Sequence, residues 1–303
     1  MDVATTDERI IKVSAYVESL QKLKELCSKE NSGIGLLEVK PSVNSELKQE
    51  EYFLDVFLEA GQVAAGKTIT ILLPDLDISH SQKSALGCRG IRLCLAYPQD
   101  YRFFLRALLR AGMYFNYELA LPMVGSVSEI VWFKQLLYDI RVELDREGLN
   151  HRPPIIGTVV EVPSVIPLAR TIAFDSRFFI VGENLIKYLM ADESLIEGEN
   201  KHISFYHQAF LLQVLTLVQN LNRRKSDVRI WAPIVEDSAA IPLFVGLGFV
   251  EIIAPLESIP NIKTVVGAIS YMKSKMVAAK ATSYTNPEQA REYVRRAMSK
   301  ITC

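Results

Sequence analysis

The chain is poor in the residues that build metal and redox centres, with four cysteines and four histidines among 303 residues. Cys27, Cys88, Cys94 and Cys303 show no CxxC spacing, which excludes a disulfide framework and a zinc ribbon and leaves free thiols as the expectation. His202 and His207 stand five apart, so a helix does not bring them to one face as paired metal ligands. Charge of one sign is also missing. Lys and Arg number 34 against 35 Asp and Glu, for a formal net charge of −1, which gives no electrostatic footprint for a nucleic-acid backbone or an anionic membrane surface. The longest apolar stretch, 241–256, is interrupted by Gly246, Gly248, Glu251 and two prolines and is too short to span a bilayer. Asp2, Asp7, Glu8 and Arg9 leave no secretory signal at the start, so a cytoplasmic location is expected. These absences point to proteins or small molecules as partners.

What the chain has is a rhythm. Its apolar share of 49% is enough to bury a barrel-sized core. Short β-branched runs alternate with longer amphipathic stretches, as in the βαβ units of a parallel sheet. The runs predict eight strands, over 11–16, 34–39, 68–73, 118–123, 155–162, 178–181, 228–232 and 249–253. Between them the periodicity predicts helices over 17–29, 45–60, 101–112, 127–147 and 205–222, with 91–96 a lead-in to a helix. Eight strands alternating with helices are the count of a (β/α)8 TIM barrel, an α/β fold. Local chemistry agrees: Ser126 and Glu129 form a capping box, Pro153 and Pro154 break the chain before the fifth strand, and Gly246 and Gly248 close a helix before the eighth. No linker, repeat or low-complexity tract divides the chain. Residues 1–281 are expected to form the barrel and 282–303 a charged helical tail that begins at Asn286-Pro287 and docks outside it.

A (β/α)8 barrel keeps its chemistry at the C-terminal ends of its strands. Those ends carry Glu38 and Lys40, Pro74 with Asp75 and Asp77, Pro122 and Met123, Glu161, Glu183 and Asn184, Trp231, and Pro255. Acids outnumber bases, and Arg89 in "GCRGIR" is the one obvious inward cation in the sequence.

Four blocks at these positions resemble a family. "GCRGIRLCLAYPQDYRFFLRALLRAGMYFNYELALPMVGSVSEI" resembles "GxRAIR…FPMI.SVEE"; "IIGTVVEVPSVIPLA" resembles "IGxMxExPxA"; "FFIVGENLIKYLMADES" resembles "FFSIGTNDLxQYxLAxDR"; and "AIPLFVGLGFVEI" resembles "A..LLLGLGLDEF". In this order and spacing they are similar to the C-terminal phosphoenolpyruvate-binding barrel of enzyme I of the bacterial phosphotransferase system, and more widely to the phosphoenolpyruvate-utilising enzymes. The resemblance implies the barrel fold. For the family's site it implies several arginines on the ligand's phosphate and carboxylate, a Glu and an Asp on magnesium with an Asn beside the Asp, and a cysteine as proton donor.

Residue by residue, most of that set is missing here. The position resembling the first arginine is Glu38 and the acid two residues later is Lys40; "LPDLDISHSQ" stands where the pattern is "RTMDIGGDK", so the second arginine has become Leu72 or Pro74. Arg89 retains the third arginine, Glu161 the magnesium glutamate and Asn184 the asparagine. "GENLIKY" is one residue shorter than the pattern and lacks the magnesium aspartate, Asp192-Glu193 replaces Asp-Arg, and the cysteine position falls near Trp231. Arg89, Asn184 and Glu38 make up a remnant ligand site, and Arg89 is alternatively a pairing partner for the acids. Glu161 and Glu183 are either magnesium ligands or, respectively, an acid held by Arg89 or water and an acid favoured by a helix dipole. Trp231 is expected to fill space. No cofactor is expected, with magnesium the one candidate. The family's phosphoryl acceptor lies on a separate N-terminal domain, and none is expected in cis. The expectation is therefore a catalytically degenerate relative serving as an interaction or regulatory protein, with a protein or a second copy as partner; the alternatives are a barrel of altered ligand or metal specificity, or a residual phosphotransferase.

Overall fold

Parallel strands buried on both faces read as unbroken apolar runs, and each of the eight runs is a strand in the computed structural model. The structure describes residues 2–29, 33–39, 50–74, 88–191 and 204–301. Lys40, residues 45–49, Asp75, Asp77, Asp192, Glu193, His202 and Cys303 lie outside the described residues, as does the side chain of Cys27.

The strands are β1 (Asp2–Ala4), β2 (Ile10–Val17), β3 (Gly33–Glu38), β4 (Ile69–Leu72), β5 (Tyr117–Leu121), β6 (Ile155–Val160), β7 (Phe178–Gly182), β8 (Asp227–Trp231) and β9 (Glu251–Pro255). The helices are α1 (Leu20–Lys29), α2 (Glu50–Ala64), α3 (Ile91–Ala96), α4 (Pro98–Ala111), α5 (Val127–Arg146) and α6 (Val165–Ile172). They continue with α7 (Asn184–Met190), α8 (Gln208–Asn222), α9 (Ile241–Leu247), α10 (Ile259–Ala268), α11 (Tyr271–Ala281) and α12 (Pro287–Ile301). Sheet order follows chain order from β1 to β9, and β2 also pairs with β9, which is the topology of a (β/α)8 barrel with β2 to β9 as its parallel strands.

Several boundaries differ from expectation. β1 pairs antiparallel with β2, Val3 opposite Ile11, and went unforeseen because three residues beside a polar turn carry no periodicity. The strand β2 extends through Val17, so the first helix begins at Leu20 and not at 17. The expected strand over 155–162 ends at Val160, which leaves Glu161 just beyond it. The apolar run 91–96 is itself the helix α3, separated from α4 by Tyr97, whose φ of −131° and ψ of 61° are not helical.

The chain divides into two compact units, Met1–Ala15 with Val160–Phe174 and Phe178–Cys303, and Tyr16–Val159 with Asp175–Arg177. In the second unit β3, β4, β5 and β6 pair in parallel, Leu37 opposite Ile71, Leu72 opposite Ala120 and Leu121 opposite Thr158. Its helices α2 and α4 meet through aromatic edges, with the Phe57 and Phe104 rings 5.2 Å apart at 83°, an arrangement favoured by the ring quadrupoles. In the first unit β7, β8 and β9 pair in parallel, and α9 runs so close to α11 that a Cβ on Gly246 would lie 2.0 Å from the Ser274 carbonyl oxygen. α12 buries Ala290 and Val294 and leaves its charged face in water. Cys88 is an exposed free thiol and Cys94 a buried one, whose thiol burial pushes up to about 12.

Candidate functional site

In the unit Tyr16–Val159, three strand ends bear on the site. Glu38 closes β3 and accepts a short hydrogen bond from the Tyr16 hydroxyl, so the carboxylate is tied to the end of β2. Beyond β4, the Pro74 carbonyl accepts from the buried Tyr101 hydroxyl at 3.1 Å. Arg89 sits half-buried in the bend before α3. The following residue, Gly90, has φ 54°, and a Cβ there would lie 2.7 Å from the Pro122 oxygen. Ile91 N donates to that same oxygen at 3.1 Å. Only a glycine lets the chain pass so close, and the contact fixes Arg89 at the end of β5.

In the other unit the sequence candidates converge. Glu161 follows β6 and is 4% exposed. Asn184 opens α7, and its Nδ2 donates to Glu161 Oε1 at 2.6 Å. Lys187, one helical turn on, donates from Nζ to Asn184 Oδ1 at 2.9 Å and to Glu183 Oε1 at 3.0 Å. Spacings of three and four residues put these side chains on one face of a helix. The amide orientation is fixed by its neighbours: turned over, Asn184 would set its carbonyl against a carboxylate and its NH2 against an ammonium. Lys187 is itself only 7% exposed, an uncommon state for a lysine unless it is paired.

The sequence candidates therefore separate into two sets. Glu161, Glu183 and Asn184 are brought together, and Asn184 is a holder of Glu161 that the sequence did not indicate. Glu38 and Arg89 belong to the other unit. Trp231 is half-buried, not core as expected, because it stands at the open end of β8. His207 caps α8 by accepting from Ala209 N at 3.2 Å, a structural role. Two participants escaped sequence reasoning, Tyr16 and Lys187. The signal for Lys187 was available in "GENLIKY", where a lysine stands three and four residues after an amide and an acid with apolar neighbours between.

The resemblance implies magnesium at Glu161, and the residues present do not fit it. Among the described residues no group of three or more His, Cys, Asp or Glu could hold a metal ion. Asn184 Oδ1 and Glu183 Oε1 already face the Lys187 ammonium. A divalent ion about 4 Å from that ammonium would meet repulsion on the order of 8 kcal/mol at an effective dielectric near 20. Magnesium usually keeps one or two protein carboxylates and depends on its substrate for the rest, and here the Glu183 carboxylate already holds the Lys187 ammonium while Glu161 accepts from the Asn184 NH2.

No helix among the described residues is long and apolar enough to cross a membrane. The comparisons with known proteins agree with the blocks at the strand ends. Phosphoenolpyruvate-protein phosphotransferase of Staphylococcus epidermidis is 27% identical over 310 residues, covering 97% of this chain and 54% of that protein. The Bacillus subtilis phosphotransferase of the same name is 28% identical over 265 residues, covering 82% and 46%. The chain thus spans about half the length of the curated relatives it matches. Among solved structures, a citrate lyase of Burkholderia xenovorans superposes with a TM-score of 0.57 at 12% identity, covering 95% of this chain and 92% of that one. The malate synthase of Haloferax volcanii gives 0.56 at 9% identity, covering 84% and 72%. These two likenesses concern the fold alone. The phosphoenolpyruvate-binding domain of the phosphoenolpyruvate-utilising enzymes matches residues 1–271, nine-tenths of the chain, and the chain belongs to that family.

Proposed function

We propose that this chain is a non-catalytic member of its family, a phosphoenolpyruvate-binding-type barrel that retains the fold and has lost the reaction, and that it serves as an interaction or regulatory protein. The observation that carries the reading is Glu38, a carboxylate tied to Tyr16 at the strand end where the family pattern has an arginine. Phosphoenolpyruvate is a polyanion, best held by bidentate guanidinium groups. Exchanging an arginine for a glutamate turns attraction into repulsion, each on the order of 4 kcal/mol at contact. Millimolar affinity is itself only about 4 kcal/mol, so one such reversal removes it.

On this reading residues 1–281 are the barrel and 282–303 its docked tail, the protein works in the cytoplasm without a cofactor, and its partner is another protein or a second copy, neither nucleic acid nor membrane. The test is calorimetric titration with phosphoenolpyruvate, with and without magnesium, beside an assay for pyruvate release in the presence of a histidine phosphocarrier. Neither heat nor pyruvate is expected. Saturable magnesium-dependent uptake or turnover would restore the residual phosphotransferase. The acids Glu38, Glu161 and Glu183 support one further reading, a site of altered specificity. A rise in melting temperature with one metal, amine, sugar or organic acid in a screen would favour it, since specific binding stabilises the folded chain.

A further inference from the structure

Lys187 is the least expected side chain of the site. It is 7% exposed in a helix whose Leu185 and Ile186 are also buried, and its charged end points at an amide oxygen and a carboxylate. Burying a lysine is costly unless the charge is compensated. Burying Glu161 costs likewise, and the Asn184 amide connects the two, giving its NH2 to the acid and its oxygen to the ammonium. The result is a relay of alternating polarity from Glu161 through Asn184 to Lys187 and on to Glu183. Glu161 stands at the exit of β6, and the other three residues stand in the first turn of α7, with the Glu183 side chain 38% exposed at the outer end.

We propose that the Lys187 ammonium is the resident cation of this cluster, built into the chain where a divalent ion would otherwise sit, and that its removal turns Glu161, Glu183 and Asn184 into a divalent-cation site. The inference deepens the non-catalytic reading and rests on it. The chain did not merely lose a ligand for the metal; it supplies a substitute of its own, which keeps the acids compensated and the β6 and β7 ends ordered without any ion. The substitute is covalently held, so no concentration of magnesium competes with it on equal terms.

The experiment is a calorimetric titration of the purified full chain with manganese(II) chloride alone, repeated on Lys187→Met, which keeps most of the stem's volume, and on Lys187→Gln, which keeps a donor for the neighbouring oxygens. Far-ultraviolet circular dichroism and a thermal melt establish that each variant is folded. The natural chain is expected to give no saturable heat up to about millimolar metal, whereas the folded variants should bind roughly tenfold or more tightly than it does. Adding Glu161→Gln to either variant should abolish the gain. Manganese uptake by the natural chain that Glu161→Gln removes would overturn the proposal, and so would a folded Lys187 variant that stays blind to the metal. Because phosphoenolpyruvate is absent from these titrations, the two readings fail separately: turnover by the natural chain sinks the proposed function, while metal-blind variants sink only the cation assignment.

Discussion

Glu251 shows how much a single side chain in this barrel can carry. At the start of β9 it is 2% exposed, accepts from the Ser14 hydroxyl at 2.5 Å, and meets Lys12 at 3.1 Å and Arg229 at 3.2 Å. Arg229 is 4% exposed, and its guanidinium carbon lies 4.1 Å from the centre of the Phe178 ring. Removing one member leaves a buried charge without its counter-charge, which costs about 3–5 kcal/mol, whereas replacing both by apolar groups of similar volume is often neutral. Glu251→Gln should therefore lower unfolding stability in urea by about 3 kcal/mol, and the Glu251→Leu, Arg229→Met double variant by clearly less than the sum of its singles. None of this was legible in the sequence, since Lys12, Arg229 and Glu251 stand in three separate apolar strands, Lys12 more than two hundred residues from the other two, and only strand pairing brings them together. Lys187 is a different case: a lysine on a short helix reads as a solvated charge, although its partners, Glu183 and Asn184, stand only four and three residues before it. Arg89 and Asn184, by contrast, could be singled out as candidates because they stand in the blocks "GCRGIR" and "GENLIKY", which resemble the family's pattern.

At the scale of elements, helix ends and close crossings set the stability. The capping box of α5 is present as the sequence predicts, with Ser126 accepting from Glu129 N and Glu129 accepting from Ser126 N; Ser126→Ala should cost about 1 kcal/mol in chemical unfolding. Gly246 is a different case. Its expected role was to end a helix, and the end falls at Gly248 with φ 108°. Gly246 lies inside α9 because a Cβ there would meet the Ser274 backbone at 2.0 Å. Backbone cannot move aside as a side chain can, so Gly246→Ala should separate α9 from α11 and destabilise by about 1–3 kcal/mol or more, read as an earlier melting midpoint. The N-terminal turn is fastened to α11 by Asp7, whose carboxylate accepts from Tyr271 N at 2.7 Å and Met272 N at 2.9 Å, and from the Thr5 and Ser270 hydroxyls. The Met272 N–H, then the Thr5 hydroxyl and the Tyr271 N–H, hold this carboxyl well below the usual aspartate range. A depressed carboxyl contributes stability above its unfolded value, about 3.9, and loses it as the pH falls below that. Asp7→Asn should therefore melt earlier than the natural chain at neutral pH, with the gap narrowing as the pH is lowered below about 4. The strands were the most legible elements, because burial on both faces forces a continuous apolar run; β1, three residues with no face to bury, had no such mark.

For the whole molecule, the order of the strand blocks in the sequence fixes the topology, but no periodicity states what the outside is for. The proposed interaction role needs a surface, and α5 carries a candidate. It buries Ile130, Phe133, Leu137, Ile140 and Leu144 inward while leaving Val131, Trp132 and Tyr138 exposed on the other side. Tryptophan and tyrosine are enriched at the centres of protein interfaces, and clustered exposure of this kind marks interaction sites. The near-zero net charge of −1 also leaves little long-range repulsion between copies. If the partner is a second copy, sedimentation velocity at tens of micromolar should give a mass twice that of the chain, and Trp132→Lys with Tyr138→Lys should return it to one. Both positions are solvent-facing in the single chain, so each change alone should shift unfolding stability by no more than about 0.5 kcal/mol. Loss of association without loss of fold is the outcome that assigns the face to self-pairing. A natural chain that sediments as a monomer at these concentrations leaves the face to a different protein and withdraws the homodimer from the proposed function.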